Sequence, residues 1–112
     1  MEVYLMKLIL AIVSNDDSAA VLSALNSNSY QVTKLATTGG FLSLGNTTLI
    51  VGCEDELVDK AIELIGSESK RRTEVAPAAT SFISGEFSPM PVEVTVGGAT
   101  IFVLDVDQFH KL

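Results

Sequence analysis

The chain has 112 residues and a mass of 11.9 kDa, which fits one domain and leaves no room for a second. Hydrophobic residues make up 47% of it and charged residues 19%, so a packed core is expected and extended disorder is not. Seven basic against fourteen acidic residues give a net charge of −7, which argues against a nucleic-acid polymer or an anionic membrane surface as partner.

Lys7 to Ser14 is a short apolar run rich in branched side chains and reads as a buried strand. Its apolar stretch, Leu8 to Val13, falls far short of the ~20 residues of a membrane span and is too short for a secretion signal, so a cytoplasmic protein is expected. Met6 is a candidate alternative start, because Met1 to Leu5 stands ahead of a well-formed strand. The polar cluster Ser14 to Ser18 offers Asn and Asp side chains to the free amides of a helix start, and Ala20, Val21, Ala24 and Leu25 then recur at helical spacing. Asn26 to Ser29 ends that helix.

Tyr30 to Thr37 reads as a second strand, with Tyr30 and Val32 on one face and Gln31, Thr33 and Leu35 on the other; Thr47 to Cys53 reads as a third. Glu54 to Ile65 is the clearest helix, with Leu57, Val58, Ala61, Ile62 and Ile65 in one stripe and Gly66 where a cap belongs. Ser67 to Met90 shows no sustained period and reads as a long loop. Pro91 to Val96 alternates, Gly97-Gly98 offers a two-residue turn tolerant of positive φ, and Ala99 to Val106 returns, which together predict a hairpin.

This order folds most simply as a single α+β domain over residues 1–112, a ferredoxin-like βαββαβ sandwich with an extra C-terminal hairpin. The first, third and fifth strands are apolar on both faces, so the sheet needs a second cover beside its helices. Another copy of the chain is the economical cover, and a homo-oligomer is expected.

No phosphate loop, dinucleotide glycine fingerprint, nucleophile elbow, zinc-protease helix or paired-cysteine motif occurs. Cys53 stands alone and reads as a small core residue; His110 lies in the tail and reads as a surface residue. Neither an enzyme nor a metal site is expected. The unusual segment is Thr37 to Thr48, where glycines, hydroxyls and Asn46 surround Phe41, a set suited to holding phosphate and stacking on a base. The alternative is a plain loop with glycines for its turns. From residue 18 to residue 53 the chain has no acid and one base, Lys34, so an anionic small molecule meets no repulsion there. Lys70-Arg71-Arg72 reads first as a solvated run beyond a helix, and second as a docking point for a partner or a ligand phosphate.

The run from Thr33 to Gly52, TKLATTGGFLSLGNTTLIVG, resembles the PII-like cyclic di-AMP receptor family of bacterial signalling proteins. PVEVTVGGATIFVLDVDQFH, from Pro91 to His110, is similar to that family's last strands and tail, and KLILAIVSNDD to its opening. The resemblance implies a ferredoxin-like homotrimer without catalytic activity or cofactor. It would bind cyclic di-AMP in clefts between subunits and rearrange its loops to regulate a protein partner. Carried over by position, the ligand would meet Val32 and Thr33, then Gly40, Phe41 and Leu42, then Asn46 and Gly52, with Phe102 entering from the last strand. Gln31 and Lys111 belong to the same set as departures: Gln31 stands where relatives carry an arginine, Lys111 where they carry a glutamine. The long loop, PAATSFISGEFSPMP, lacks the family's usual glycine pair and tyrosines. These departures leave ATP or another adenine nucleotide as the alternative ligand.

Overall fold

A computed structural model of the chain describes residues 5–35, 45–77 and 91–112. Its elements run β1 (Met6–Ser14), α1 (Asn15–Ser27), β2 (Gln31–Leu35), β3 (Asn46–Glu54), a 3-10 turn (Asp55–Leu57), α2 (Val58–Glu68), β4 (Arg72–Pro77), β5 (Pro91–Val96) and β6 (Ala99–Asp105). Four strands form an antiparallel sheet in the order β2-β3-β1-β6. α1 joins β1 to β2 across β3, and α2 followed by the β4–β5 excursion joins β3 to β6 across β1, each pair parallel and split by an antiparallel third, the ferredoxin-like arrangement expected from the sequence.

Strict alternation sorts the side chains. Ile9, Ala11 and Val13 of β1 and Leu49, Val51 and Cys53 of β3 are buried on the helix side. Val21 and Leu25 of α1 and Val58, Ala61 and Ile65 of α2 close the same core. Full burial of a side chain such as Leu25 or Ile65 contributes about 1.5–3 kcal/mol relative to exposure.

The helix ends follow from local chemistry. At the start of α1 the Thr47 hydroxyl donates to Asn15 Oδ1 (2.6 Å) and the Asn15 amide to the Gly45 carbonyl (2.9 Å), stitching the end of β1 to the start of β3. At its end Tyr30 N–H bonds the Leu25 carbonyl and Ser29 N–H the Asn26 carbonyl, with Ser29 at φ +67°. That is a Schellman closure, and it takes Tyr30 straight into β2. α2 runs through Gly66, the expected cap, to Glu68; the buried Ser69 closes it, its hydroxyl donating to the Ile65 carbonyl.

Two further expectations are corrected. The hairpin across Gly97-Gly98 does not form: β6 pairs with β1, while β5 pairs with β4 in a separate two-stranded ribbon. Both glycines do adopt positive φ, +83° and +85°, but they serve as a pivot between the two sheets. A Cβ on Gly97 would strike the Lys70 carbonyl oxygen, so the pivot is packed against the strand that leaves α2. The segment read as one long loop holds β4, whose register runs from Arg72 opposite Val96 to Pro77 opposite Pro91.

The β4–β5 ribbon is an arm. Neither strand packs extensively on the sheet or helices, and the molecule measures 72 × 27 × 19 Å. Its radius of gyration is 18.4 Å, against about 13 Å for a compact chain of this length. The root of the arm is tied down by Arg72, whose guanidinium holds Asp17 through Nη2–Oδ1 at 2.9 Å and Nη1–Oδ2 at 3.3 Å. Arg72 also donates to Glu74 and to the Lys70 carbonyl, and these partners keep it more firmly protonated, Asp17 first. Arg72 is thus a clamp, not part of a solvated run.

Candidate functional site

Among the described residues no helix or strand packs on the face of the sheet opposite the helices, though Thr48 on it is buried and Leu8, Leu10, Ile12 and Ile50 are half-buried. Strand register arranges its residues in rows across β2, β3, β1 and β6: Gln31, Gly52, Leu8, Leu104; then Thr33, Ile50, Leu10, Phe102; then Leu35, Thr48, Ile12, Thr100. Asn46 and Ser14 begin a fourth row. None of these positions carries a charge, although the chain as a whole stands at −7. The first charged position beyond the rows is Glu54, opposite Met6. Phe102 is 53% exposed and Leu104 44%, large values for apolar side chains in strands.

Gln31, Thr33, Asn46, Gly52 and Phe102 of the expected contact set all occupy this face. Val32 does not: it sits opposite Val51 and packs on the core, leaving only its backbone beside the open face. Lys111 lies in the exposed tail beyond β6. Gly40, Phe41 and Leu42 lie outside the described residues. Gly52 and Asn46 are separated by most of β3, about 20 Å at the usual rise per residue. Phe102 is two strands from Gly52 and one row along, about 12 Å. Among the described residues these positions form a platform rather than an enclosed pocket.

Among the described residues, a cavity of about 430 Å³ lies at each end of the platform. One lies at the tail end, between Met6, Glu54, Val106, Asp107 and Phe109. The other lies at the opposite end, between Ile12, Ser14, Asn46, Thr100, the Gly97-Gly98 pivot and Arg71. The second contains a contact residue expected from the sequence, Asn46, and one not in that set, Arg71. Only the run of cations at 70–72 signalled Arg71, and that signal did not separate it from Arg72.

Groups with latent reactivity lie elsewhere. Burial pushes the Cys53 thiol up, with Asp55 and Glu54 adding to the effect, so it stays protonated inside the core. Burial also raises the Tyr30 phenol, which donates to the Leu57 carbonyl at 2.8 Å. Lys7 is raised by its hydrogen bond to Asp105, its cross-strand neighbour. His110 is exposed beside Gln108. Among the described residues no group of His, Cys, Asp and Glu is placed to hold a metal ion.

A small ferredoxin-like α+β sandwich with an open, uncharged sheet face is the class these features define. The chain belongs to the cyclic-di-AMP receptor family, whose model matches residues 6–112. It is also similar to a crystal structure described as a functionally unknown protein from Pediococcus pentosaceus ATCC 25745. The two share 38% sequence identity over 98% of this chain and 100% of that one, with a TM-score of 0.76. No helix among the described residues is long and apolar enough to cross a membrane.

Proposed function

We propose that this chain is a non-enzymatic signalling protein that assembles as a homotrimer and binds cyclic di-AMP in the clefts between neighbouring subunits. Binding rearranges its loops and changes the surface offered to a protein partner. Family membership over residues 6–112 is the observation that carries this reading. The geometry supports it: Gln31, Thr33, Gly52 and Phe102 share one uncharged face, and no described helix or strand of the same copy lies over them. A neighbouring copy laid against that face turns a platform into a cleft and covers Phe102 and Leu104.

The chemistry asked of such a cleft is modest. A micromolar dissociation constant corresponds to about −8 kcal/mol. Stacked purines contribute about 1–3 kcal/mol each, and hydrogen bonds to charged phosphate oxygens supply the rest after ordering costs. Gln31 in place of an arginine removes one such bond, which motivates testing ATP as the alternative. Thermal-shift titrations with cyclic di-AMP, cyclic di-GMP and ATP compare the ligands directly. The expected result is a clear rise in melting temperature with cyclic di-AMP at concentrations where the others give little. A larger rise with ATP assigns the cleft to a mononucleotide instead.

A further inference from the structure

The basic run at residues 70–72 divides in the fold. Arg72 is consumed by Asp17 and Glu74, one cation shared by two carboxylates, so its charge is not available to a ligand. Arg71, the next residue along, is exposed, and among the described residues no carboxylate pairs with it. It borders the polar cavity at the Asn46 end of the platform, together with the hydroxyl-bearing Ser14 and Thr100 and the Gly97-Gly98 pivot. Among the described residues no carboxylate lines that cavity. A guanidinium, an amide and two hydroxyls around a space of about 430 Å³ are donors waiting for an oxyanion.

The position of Arg71 is fixed by its neighbours. The Arg72 clamp holds β4 to α1, and Gly98 N–H bonds the Ser69 carbonyl on the other side of the crossing. Gly97 packs against the Lys70 carbonyl, where only the lack of a side chain allows the chain to pass. The backbone bearing Arg71 is therefore pinned from three directions beside the start of β6, while its side chain keeps its charge for a ligand.

We propose that Arg71 supplies the cation of a phosphate subsite in this cavity, with Asn46, Ser14 and Thr100 as neutral donors around it. This rests on the nucleotide-binding reading above and adds to it how the phosphodiester charge is met: by one arginine at the end of the sheet face. In a protein of net charge −7 with an uncharged platform, this residue discriminates a charged nucleotide from a neutral purine.

The test compares Arg71→Gln with Lys60→Gln, which removes the same charge from the exposed face of α2. Arg71→Gln is expected to weaken cyclic di-AMP about tenfold or more in calorimetric titration, at an unchanged melting temperature, while Lys60→Gln binds like the parent. Equal affinity of Arg71→Gln and the parent overturns the subsite, as does an equal loss in Lys60→Gln. If the parent itself binds no cyclic di-AMP, the functional reading fails, and amide chemical shifts under titration with inorganic phosphate decide the subsite separately. Shifts at Asn46, Gly97, Gly98 and Thr100 that vanish in Arg71→Gln uphold it; their absence in the parent overturns it.

Discussion

Glycines 97 and 52 have opposite requirements. At Gly97 a Cβ would strike the Lys70 carbonyl and come within 2.8 Å of Arg72 Nη1, at a φ of +83°. Gly97→Ala is expected to cost about 1–3 kcal/mol, read as a lower urea midpoint. Around Gly52 no atom of the described residues beyond its chain neighbours lies within 4 Å of where a Cβ would stand, so Gly52→Ala is expected to keep the melting temperature. Its methyl group would stand on the open face, and cyclic di-AMP binding is expected to weaken; unchanged affinity removes Gly52 from the site. Cys53 and Tyr30 give a pH dependence. Both are raised above their ordinary values of 9.0 and 10.0 by burial, so the folded state holds their protons longer than the unfolded state does. Their stabilising effect is complete below about pH 9 and fades as pH rises through the folded values. Urea unfolding across this range is expected to show that decline, and a flat profile contradicts it. At this scale the sequence was readable where the rule is local: period-2 alternation places Cys53 on the buried face, and a glycine pair signals positive φ.

Among the elements, the βαββα portion was legible because each strand and helix carries its own period and its own closing signal. The arm was not. β4 is six residues of mixed polarity, RTEVAP, too short to show a pattern, and its pairing with β5 is decided by partners distant in sequence. The same non-locality misassigned the glycine turn: β5 and β6 are adjacent in the chain, yet each had a better partner elsewhere. Asp17 and Arg72 are a matching case. Each alone reads as a helix-end charge, and only the fold brings them across 55 positions into a forked pair. Asp17 is 8% exposed and Arg72 39%, so loss of Arg72 leaves a poorly hydrated carboxylate, while loss of the Asp17 charge removes the fork and leaves Arg72 with Glu74. Asp17→Asn is expected to cost about 1–3 kcal/mol in urea unfolding. The double variant with Arg72→Met should lose less than the sum of the two single changes, and strict additivity would show the pair to be uncoupled.

For the whole molecule, the decisive features are a sheet face that no described helix or strand covers and an arm that packs little on the other described elements. A lone two-stranded ribbon is marginal in water, so both features ask for a neighbour. Phe102→Asp places a charge on the edge strand of the open face, where the side chain is most exposed, and is expected to yield monomers in sedimentation equilibrium while the circular dichroism spectrum of the fold persists. A mass unaffected by the substitution locates the interface elsewhere. The candidate site was partly legible because Gln31, Thr33, Gly52 and Phe102 fall on one face by parity alone. Their spread over more than 10 Å and the separate position of Arg71 needed the register and the crossing of β4 with the glycine pivot.

Calorimetric titration of the assembled protein with cyclic di-AMP tests the central claim most directly. A trimer with a cleft at each subunit junction predicts saturable binding with one ligand per chain and a dissociation constant in the micromolar range or tighter, about −8 kcal/mol or better. Absence of heat, accompanied by an unmoved melting temperature at excess ligand, contradicts it.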